Sequence, residues 1–138
     1  YIAPTFGALP EQNGVIDLPI DRVSADSLWR TIREDGQPAR TAYELLLETS
    51  HWNLYAFHPL TGRTHQIRVH ATASGAPLLG DPVYHTEESL LYSDTLGLFT
   101  QCLTCVEMTF PHPLTGKEMT IVTRPEWYAD SWFQEYYR

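Results

Sequence analysis

Alternating apolar and polar side chains predict a β-hairpin near the middle of this 138-residue chain. Four side chains of residues 40–48 share one alternating face: Thr41, Tyr43, Leu45 and Leu47. This period of two is typical of a half-buried strand. Residues 53–57 form a second strand-like apolar run after a short polar connection. Because the connection is short, we expect the two strands to pair as a hairpin.

Shorter patterns predict the remaining elements. Further strands are expected at residues 1–7, 14–20, 103–110 and 118–123, with a turn at 111–116. Helical spacing of apolar residues indicates short helices at 24–34 and 125–137, and residues 85–98 could hold another. Pro4 argues against a central position for the first strand. Hairpins with few helices between them favour one α+β domain over residues 1–138, with a mixed or mainly antiparallel sheet and a few short helices.

Residues 58–70 concentrate more chemically active side chains than any other stretch. Their sequence is His-Pro-Leu-Thr-Gly-Arg-Thr-His-Gln-Ile-Arg-Val-His. Pro59 and Gly62 bracket a tight turn after the strand, and Thr64 is a suitable N-cap for a following helix. Gly75 supplies the stop signal for that helix. The stretch therefore predicts a strand, a tight turn and a short helix.

This arrangement places two guanidinium groups near the start of a helix. Arg63 falls on the turn, and Arg68 falls in the first helical turns. Helix N-termini favour anions, and guanidinium groups favour carboxylates and phosphates strongly. The alternative is an ordinary solvated helix whose arginines face water, with His65 and His70 half-buried. Composition alone favours this alternative.

Composition and charge narrow the possible functions. No apolar run is long enough to span a bilayer. Nine basic residues against seventeen acidic ones give a net charge of −8, so RNA affinity would have to come from a local basic site or from elsewhere. The chain opens on Tyr1 and not on Met, which suggests a processed or partial chain. Two cysteines are too few for a disulfide framework and favour a reducing compartment.

Three further groups of residues are candidate sites. Cys102 and Cys105 have zinc-like spacing, but a structural zinc needs four ligands and no second pair lies nearby. The histidines at 58, 65 and 70 do not share a helical face, so no metal site is expected. Six aromatic residues near the C-terminus could stack on bases, but packing against the core is favoured. They are Trp127, Tyr128, Trp132, Phe133, Tyr136 and Tyr137.

The motif resembles that of a known family, and this resemblance favours a functional site over an ordinary solvated helix. Residues 59–70, followed by Gly-Ala-Pro-Leu-Leu-Gly-Asp-Pro-Val-Tyr at 75–84, resemble the signature of the RluA-type RNA pseudouridine synthases. Residues 1–7, 14–20 and 36–43 are similar to further segments of that family. The resemblance implies a pseudouridine synthase-like fold and isomerisation of uridine to pseudouridine in RNA. It implies no cofactor and no metal, a structured rRNA or tRNA stem-loop as partner, and a cytoplasmic, non-membrane location.

The resemblance also implies roles for individual residues. Tyr1 matches the family tyrosine that lies beside the flipped base, and Arg68 matches the arginine that pairs with the catalytic aspartate. These two are the expected catalytic residues. Contacts with RNA are expected from other residues of the motif: Arg63, Thr64, His65, Gln66 and His70.

The chain departs from the family pattern in two places. The family aspartate lies in a His-Arg-Leu-Asp-x-x-Thr-Ser-Gly motif upstream of the tyrosine, and none of the seven aspartates here sits in such a motif. Asp81 belongs to the Gly-Asp-Pro loop and does not match that position. Thr104 replaces a family histidine. We therefore expect residues 1–138 to be the C-terminal portion of a catalytic domain and inactive alone, or alternatively a non-catalytic RNA- or protein-binding remnant of the fold.

Overall fold

A four-stranded antiparallel sheet forms the centre of the computed structural model, which describes residues 1–136. Its strand order is β1-β6-β5-β2. The strands of this sheet are β1 (Ile2–Thr5), β2 (Asn13–Asp17), β5 (Arg40–Glu48) and β6 (Asn53–Pro59). The predicted hairpin is confirmed, because β5 and β6 pair antiparallel with one irregularity between Leu45 and Leu47. Strand β1 lies at the sheet edge, where Pro4 costs no central hydrogen bond.

One face of the sheet is covered by helix α1 (Gln66–Ala73), which follows β6 directly. Tyr43, Tyr55 and Phe57 are buried on that side together with Ile67 and Ala71 of the helix. The two tyrosine rings meet edge to face with centroids 5.9 Å apart. This packing fixes the helix, and with it the motif, against the sheet.

A second apolar cluster forms around Trp52 and explains the aromatic C-terminus. Trp52 stacks on Phe133 at 5.5 Å and meets Trp132 edge to face at 5.4 Å. Packing is therefore confirmed for the buried aromatics of this segment, whereas Tyr137 lies outside the described residues. The predicted helix over 125–137 is divided into a 3₁₀ turn (Glu126–Ala129) and a short helix, α3 (Ser131–Gln134).

The helix predicted at residues 24–34 is wrong. This region contributes to a small antiparallel pair, β3 (Ile20–Arg22) and β4 (Arg30–Ile32). The spacing of Leu28 and Trp29 misled the prediction, since these side chains are 80% and 56% exposed and cover no core. An amphipathic helix requires an apolar surface to pack against, and none is offered here.

The C-terminal half contains one more helix and one more hairpin. Helix α2 (Glu87–Thr95) lies within the stretch 85–98, which sequence left open, and begins with a capping box between Thr86 and Ser89. The second hairpin, β7 (Glu107–Pro111) and β8 (Glu118–Val122), is shorter than predicted. Thr104, within the predicted strand 103–110, forms only an isolated bridge to Ile2. No helix within residues 1–136 is long and apolar enough to cross a membrane.

The β7–β8 hairpin is largely exposed. Its register pairs Met108 with Ile121 and Phe110 with Met119, which places four apolar side chains on one face. Met108 and Ile121 are exposed there, and neither strand belongs to the central sheet. A two-stranded hairpin without a covered face is marginally stable, so this element contributes little to the stability of the domain.

We expect Trp52→Ala to lower the free energy of unfolding by about 3–5 kcal/mol, because Trp52 is fully buried at the centre of the second cluster. Leu114→Ala is the matched control, since Leu114 is exposed and should change stability by no more than about 0.5 kcal/mol. Denaturant unfolding followed by circular dichroism measures both. A loss below about 1 kcal/mol for Trp52→Ala would show that the C-terminal cluster is not part of the cooperative core.

Candidate functional site

The turn that precedes helix α1 is closed by the side chain of Gln66 and not by Thr64. The amide oxygen of Gln66 accepts hydrogen bonds from the Thr61 hydroxyl (2.7 Å) and the Arg63 backbone N–H (3.1 Å). The residue at the N-cap is His65, in the left-handed region with φ 57°, and no side chain caps the helix. The prediction of Thr64 as N-cap is therefore wrong. The helix ends at Ala73, shortly before Gly75, as expected.

Gln66 holds the turn to the sheet as well. Its amide nitrogen donates to the Arg40 carbonyl (2.8 Å) and the Thr41 hydroxyl (2.9 Å). Two donors and two acceptor positions are thereby used, and the residue is buried. A hydrogen bond from Gln66 to RNA would require breaking one of these bonds. Gln66 therefore positions the turn, and its contact with RNA stays a prediction.

The predicted RNA contact of His70 is also wrong. Its side chain is completely buried, with Nε2 2.8 Å from the Leu18 carbonyl and Nδ1 2.8 Å from the Thr41 hydroxyl. A carbonyl can only accept, so Nε2 carries the proton and Nδ1 accepts from the hydroxyl. Burial lowers the pKa of His70, because the charged imidazolium is poorly solvated there. His70 is a neutral structural residue that ties helix α1 to the sheet.

Arg68 forms a buried, bidentate ion pair with Asp81. Nε and Nη2 of Arg68 donate to the two carboxylate oxygens, each at 2.8 Å. Asp81 Oδ1 also accepts the backbone N–H groups of Val83 and Tyr84, both at 2.9 Å. Hydrogen bonding to Asp81 raises the pKa of Arg68, which keeps the guanidinium charged. Asp81 is thus buried and fully engaged, and it is not available as a nucleophile.

The loop that carries Asp81 depends on Gly80. This glycine has φ 78°, and its backbone N–H donates to the Ser93 hydroxyl at 2.9 Å. A side chain here would collide with the carbonyl of Thr100. The loop is further tied to the edge strand by a bond from the Leu79 N–H to the Pro4 carbonyl at 3.0 Å. Glycine is therefore required for the approach that brings Asp81 to Arg68.

Tyr84 connects Arg68 with His65 and with strand β4. Its ring lies 4.9 Å from the Arg68 guanidinium carbon, and its hydroxyl lies 2.8 Å from His65 Nδ1. The same hydroxyl accepts the backbone N–H of Arg30 at 2.9 Å. Burial, followed by the nearby charges of Arg68 and Arg30, lowers the pKa of His65. His65 therefore favours its neutral form at neutral pH.

A cavity of about 450 Å³ opens above this network. Its wall includes Tyr1, Arg63, His65, Gln66 and Arg68, so the structure brings together five of the residues that sequence singled out. Tyr1 is 37% exposed, and its backbone is fixed to Phe57 by bonds of 3.0 and 2.8 Å. We call this cavity the motif cleft. Thr64 is exposed but lines a neighbouring cavity, and His70 lines neither.

Sequence reasoning missed several residues of the site. Gln101 and Leu103 complete the wall of the motif cleft from a segment far along the chain. Tyr84 ends the family-like stretch 75–84 and contacts Arg68, His65 and Arg30 beneath the cleft. Nothing in their local sequence marks Gln101 and Leu103, since long-range bonds bring them to the cleft: the bridge between Thr104 and Ile2 and the bond from the Cys102 N–H to the Leu79 carbonyl.

A larger cavity of about 640 Å³ adjoins the motif cleft and shares Gln101 and Leu103 with it. It contains Cys102, and burial raises the pKa of this thiol to about 12. A thiol with that pKa is protonated at neutral pH and is a poor nucleophile. The motif cleft, whose wall carries five of the residues that the sequence singled out, is the better candidate for chemistry.

Comparison with known proteins gives a consistent result. The sequence model of the family described as RNA pseudouridylate synthase matches residues 1–73. An uncharacterized RNA pseudouridine synthase of Chloroflexus aurantiacus is 41% identical over 117 residues, 85% of this chain and 35% of that protein. The dual-specificity RNA pseudouridine synthase RluA of Vibrio parahaemolyticus is 31% identical over 137 residues, 95% of this chain and 53% of that protein.

The fold agrees with these relatives. The solved structure of human RNA pseudouridylate synthase domain containing 1 superimposes with a TM-score of 0.75 at 25% identity, covering 92% of this chain and 54% of that one. The chain thus spans between about a third and about a half of the proteins compared here. The expected pseudouridine synthase-like α+β fold is confirmed.

Titration of His70 should make the protein sensitive to acid. Its folded-state pKa is lowered, so the unfolded chain binds more protons as pH falls below the ordinary histidine value of about 6.5. The stabilisation is therefore complete above that pH and is lost as pH falls toward the folded-state value. In His70→Gln, whose amide can still donate to the Leu18 carbonyl, we expect a flatter decline of the free energy of unfolding.

Denaturant unfolding of both proteins between pH 8 and pH 5 measures this difference. His65 also has a lowered pKa, so some acid sensitivity remains in the variant. Parallel stability curves for the two proteins over this range would contradict the assignment of His70 as a buried neutral residue.

Proposed function

The chain belongs to the RluA-type RNA pseudouridine synthases, and from this premise we propose that the protein isomerises uridine to pseudouridine within a structured rRNA or tRNA stem-loop. The observation that carries the proposal is the convergence of Tyr1, Arg63, His65 and Arg68 on one cleft. An aromatic ring and cationic groups around a cavity suit a nucleotide whose base has left its helix.

Tyr1 is proposed to stack on the flipped base. Its ring lines the cleft and is partly exposed, while its backbone is fixed to strand β6. Flipping a uridine costs a few kcal/mol in lost stacking and pairing, and an aromatic contact of about 1–3 kcal/mol offsets part of this cost. Because the backbone of Tyr1 is already fixed, little conformational entropy is lost when the ring contacts the base.

Arg68 is proposed to orient the carboxylate that acts at the sugar. Asp81 engages Nε and Nη2, which leaves Nη1 as the nitrogen that Asp81 does not bind. Asp81 uses two of the five N–H donors of the guanidinium, so Nη1 and the second N–H of Nη2 remain to hold an incoming carboxylate. The guanidinium is held in place by Asp81 and the Tyr84 ring, so it meets the carboxylate in a fixed position.

The reaction needs a carboxylate other than that of Asp81. In the reaction, the bond between N1 of uracil and C1′ of ribose breaks, and a bond between C5 and C1′ forms. A proton leaves C5 and N1 gains one, so the atoms balance without an oxidant or a cofactor. We propose that the family aspartate, in a segment upstream of Tyr1, supplies the carboxylate, and that the reaction takes place in the cytoplasm.

Arg63 is proposed to contact the RNA backbone. Its Nε donates to the Pro38 carbonyl at 2.9 Å, and Nη1 donates to the Gln37 side chain at 2.7 Å. These bonds aim the guanidinium while Nη2 is engaged by neither. Phosphate contacts of this kind position the nucleic acid without reading its sequence. The contacts of Thr64 and His65 with RNA remain predictions of the same kind.

A second candidate function is a non-catalytic RNA- or protein-binding remnant of the fold. The two candidate functions differ in one requirement, the His-Arg-Leu-Asp motif of the family, whose place lies upstream of Tyr1. The upstream coding sequence distinguishes the two functions directly, because the catalytic proposal requires that motif and the remnant does not.

We expect the 138-residue chain alone to form no pseudouridine, since the groups of the cleft lack the carboxylate. The full-length gene product should modify specific uridines. Carbodiimide mapping of total RNA after incubation with each protein measures both. Modified sites produced by the 138-residue chain would refute the need for an upstream carboxylate, and none from the full-length protein would favour the remnant.

In the full-length enzyme, Arg68→Lys should lower single-turnover rates by about a hundredfold. Lysine keeps the charge but cannot hold Asp81 and an incoming carboxylate with one planar group, and a misplacement of about 1 Å costs on that order. RNA affinity should change little. Arg40→Lys is the matched control, because Arg40 is exposed and forms a looser pair with Asp17 at 3.7 Å.

Rates and affinities on one substrate stem-loop separate the two effects. Normal turnover by Arg68→Lys would contradict the proposed role. So would a loss of activity that arises only from weaker RNA binding.

A further inference from the structure

A second, more polar cavity of about 250 Å³ adjoins the motif cleft and has no role in the proposed chemistry. Three arginines line it: Arg22, Arg30 and Arg63. Arg63 and Gly62 line both cavities, so the two adjoin at the turn before helix α1. We call this space the arginine cavity.

The three arginines of this cavity form no ion pair with a carboxylate among residues 1–136. Within residues 1–136, three other arginines form ion pairs with aspartates: Arg33 with Asp35, Arg40 with Asp17 and Arg68 with Asp81. No such pair involves Arg22, Arg30 or Arg63 in the described part of the chain. In a protein with seventeen acidic residues and nine basic ones, this concentrates unpaired positive charge in one place.

Two of these arginines lie opposite each other on neighbouring strands. Arg22 and Arg30 are direct cross-strand partners in the β3–β4 pair. Like charges in opposite positions destabilise a sheet, whereas an anion bound between them would remove the repulsion. The register of this small hairpin therefore favours the binding of an anion between the two arginines.

The guanidinium groups are also oriented in advance. Arg22 Nη1 donates to the Ala25 carbonyl at 3.2 Å, and Arg30 Nη1 donates to the Leu28 carbonyl at 2.7 Å. Each guanidinium has five donor hydrogens, so most remain for a ligand. One carboxylate, that of Asp21, lines the cavity, and its Oδ1 already accepts the Arg22 backbone N–H at 2.8 Å.

We propose that the arginine cavity is a phosphate subsite that holds the RNA strand next to the flipped uridine. This inference rests on the proposed function and extends it to residues outside the motif. Because Arg63 lines both this cavity and the motif cleft, a phosphate of a bound RNA chain is favoured over a free ion. The subsite also explains how a chain with net charge −8 attracts RNA, because the attraction is local.

The test measures RNA affinity as a function of salt. Full-length protein, Arg22→Gln and Arg30→Gln are titrated into a labelled substrate stem-loop at several salt concentrations. Lys117→Gln is the matched control, because it removes the same charge from the turn of the exposed β7–β8 hairpin. Each lost phosphate contact should reduce the slope of log affinity against log salt by about 0.7–0.9, and the control should leave the slope unchanged.

A second measurement locates the phosphate. Single linkages of the stem-loop are replaced in turn by neutral methylphosphonates. At the linkage held by the subsite, the substitution should weaken binding by wild type but cause little further loss in Arg30→Gln, since both changes remove the same interaction. Additive losses at every linkage near the target uridine would overturn the proposal.

Kinetic measurements and a charge-retaining variant distinguish the loss of an RNA contact from misfolding. Arg30→Lys should keep the wild-type salt slope, and Arg22→Gln and Arg30→Gln should raise KM while kcat at saturating RNA stays within about twofold. Melting curves confirm that the variants fold. A fall in kcat without a change in KM, or a slope equal to that of Lys117→Gln, would overturn the subsite. Competition by inorganic phosphate as strong as by RNA would mean that the site binds free phosphate and not an RNA strand.

Failure of the subsite can be told apart from failure of the proposed function. If the protein forms pseudouridine but Arg22→Gln and Arg30→Gln behave like the control, the subsite alone is refuted. If no pseudouridine forms but the salt slopes fall as expected, the subsite stands on an RNA-binding protein and the catalytic proposal is refuted.

Discussion

The cleft depends on one buried ion pair, between Arg68 of helix α1 and Asp81 of the following loop. Removing two charges from water costs several kcal/mol for each ion, and only good geometry with further hydrogen bonds offsets this cost. Both conditions are met, because the pair is bidentate and Asp81 accepts two backbone N–H groups as well. Loss of either partner would leave the other buried and uncompensated, at about 3–5 kcal/mol. The loop and the helix are therefore held in one arrangement.

Local pattern was sufficient for some parts of the fold and insufficient for others. The β5–β6 hairpin and the position of helix α1 follow from alternation and from the glycine stop, since both depend on neighbours in sequence. The β3–β4 pair was missed because it is held by bonds to distant segments, such as the link from the Ile20 N–H to the Gln37 carbonyl. The apolar residues between the two strands contribute nothing to the core, so their spacing carried no structural information.

The same distinction applies to the site. His65 and His70 lie five residues apart in one motif, yet His65 borders the cleft and His70 is sealed against the sheet. Sequence could not assign these environments, because they depend on which side of helix α1 meets Thr41 and Leu18. The family resemblance predicted that Tyr1 and Arg68 belong to one site. It did not predict that Asp81 binds Arg68 or that the Tyr84 ring packs against the Arg68 guanidinium, and the structure shows both contacts.

Tyr84 contacts residues that line both cavities. Its ring faces the Arg68 guanidinium, and its hydroxyl contacts His65 at the cleft and the backbone of Arg30 at the arginine cavity. While accepting the Arg30 N–H, the hydroxyl can donate to His65 Nδ1, which leaves Nε2 of the neutral imidazole as a donor. Arg68, proposed to orient the sugar carboxylate, and Arg30, proposed to hold the phosphate, thus both contact the same side chain. Their spacing is set by packing that exists before RNA binds, so little of the binding energy is needed to assemble the site.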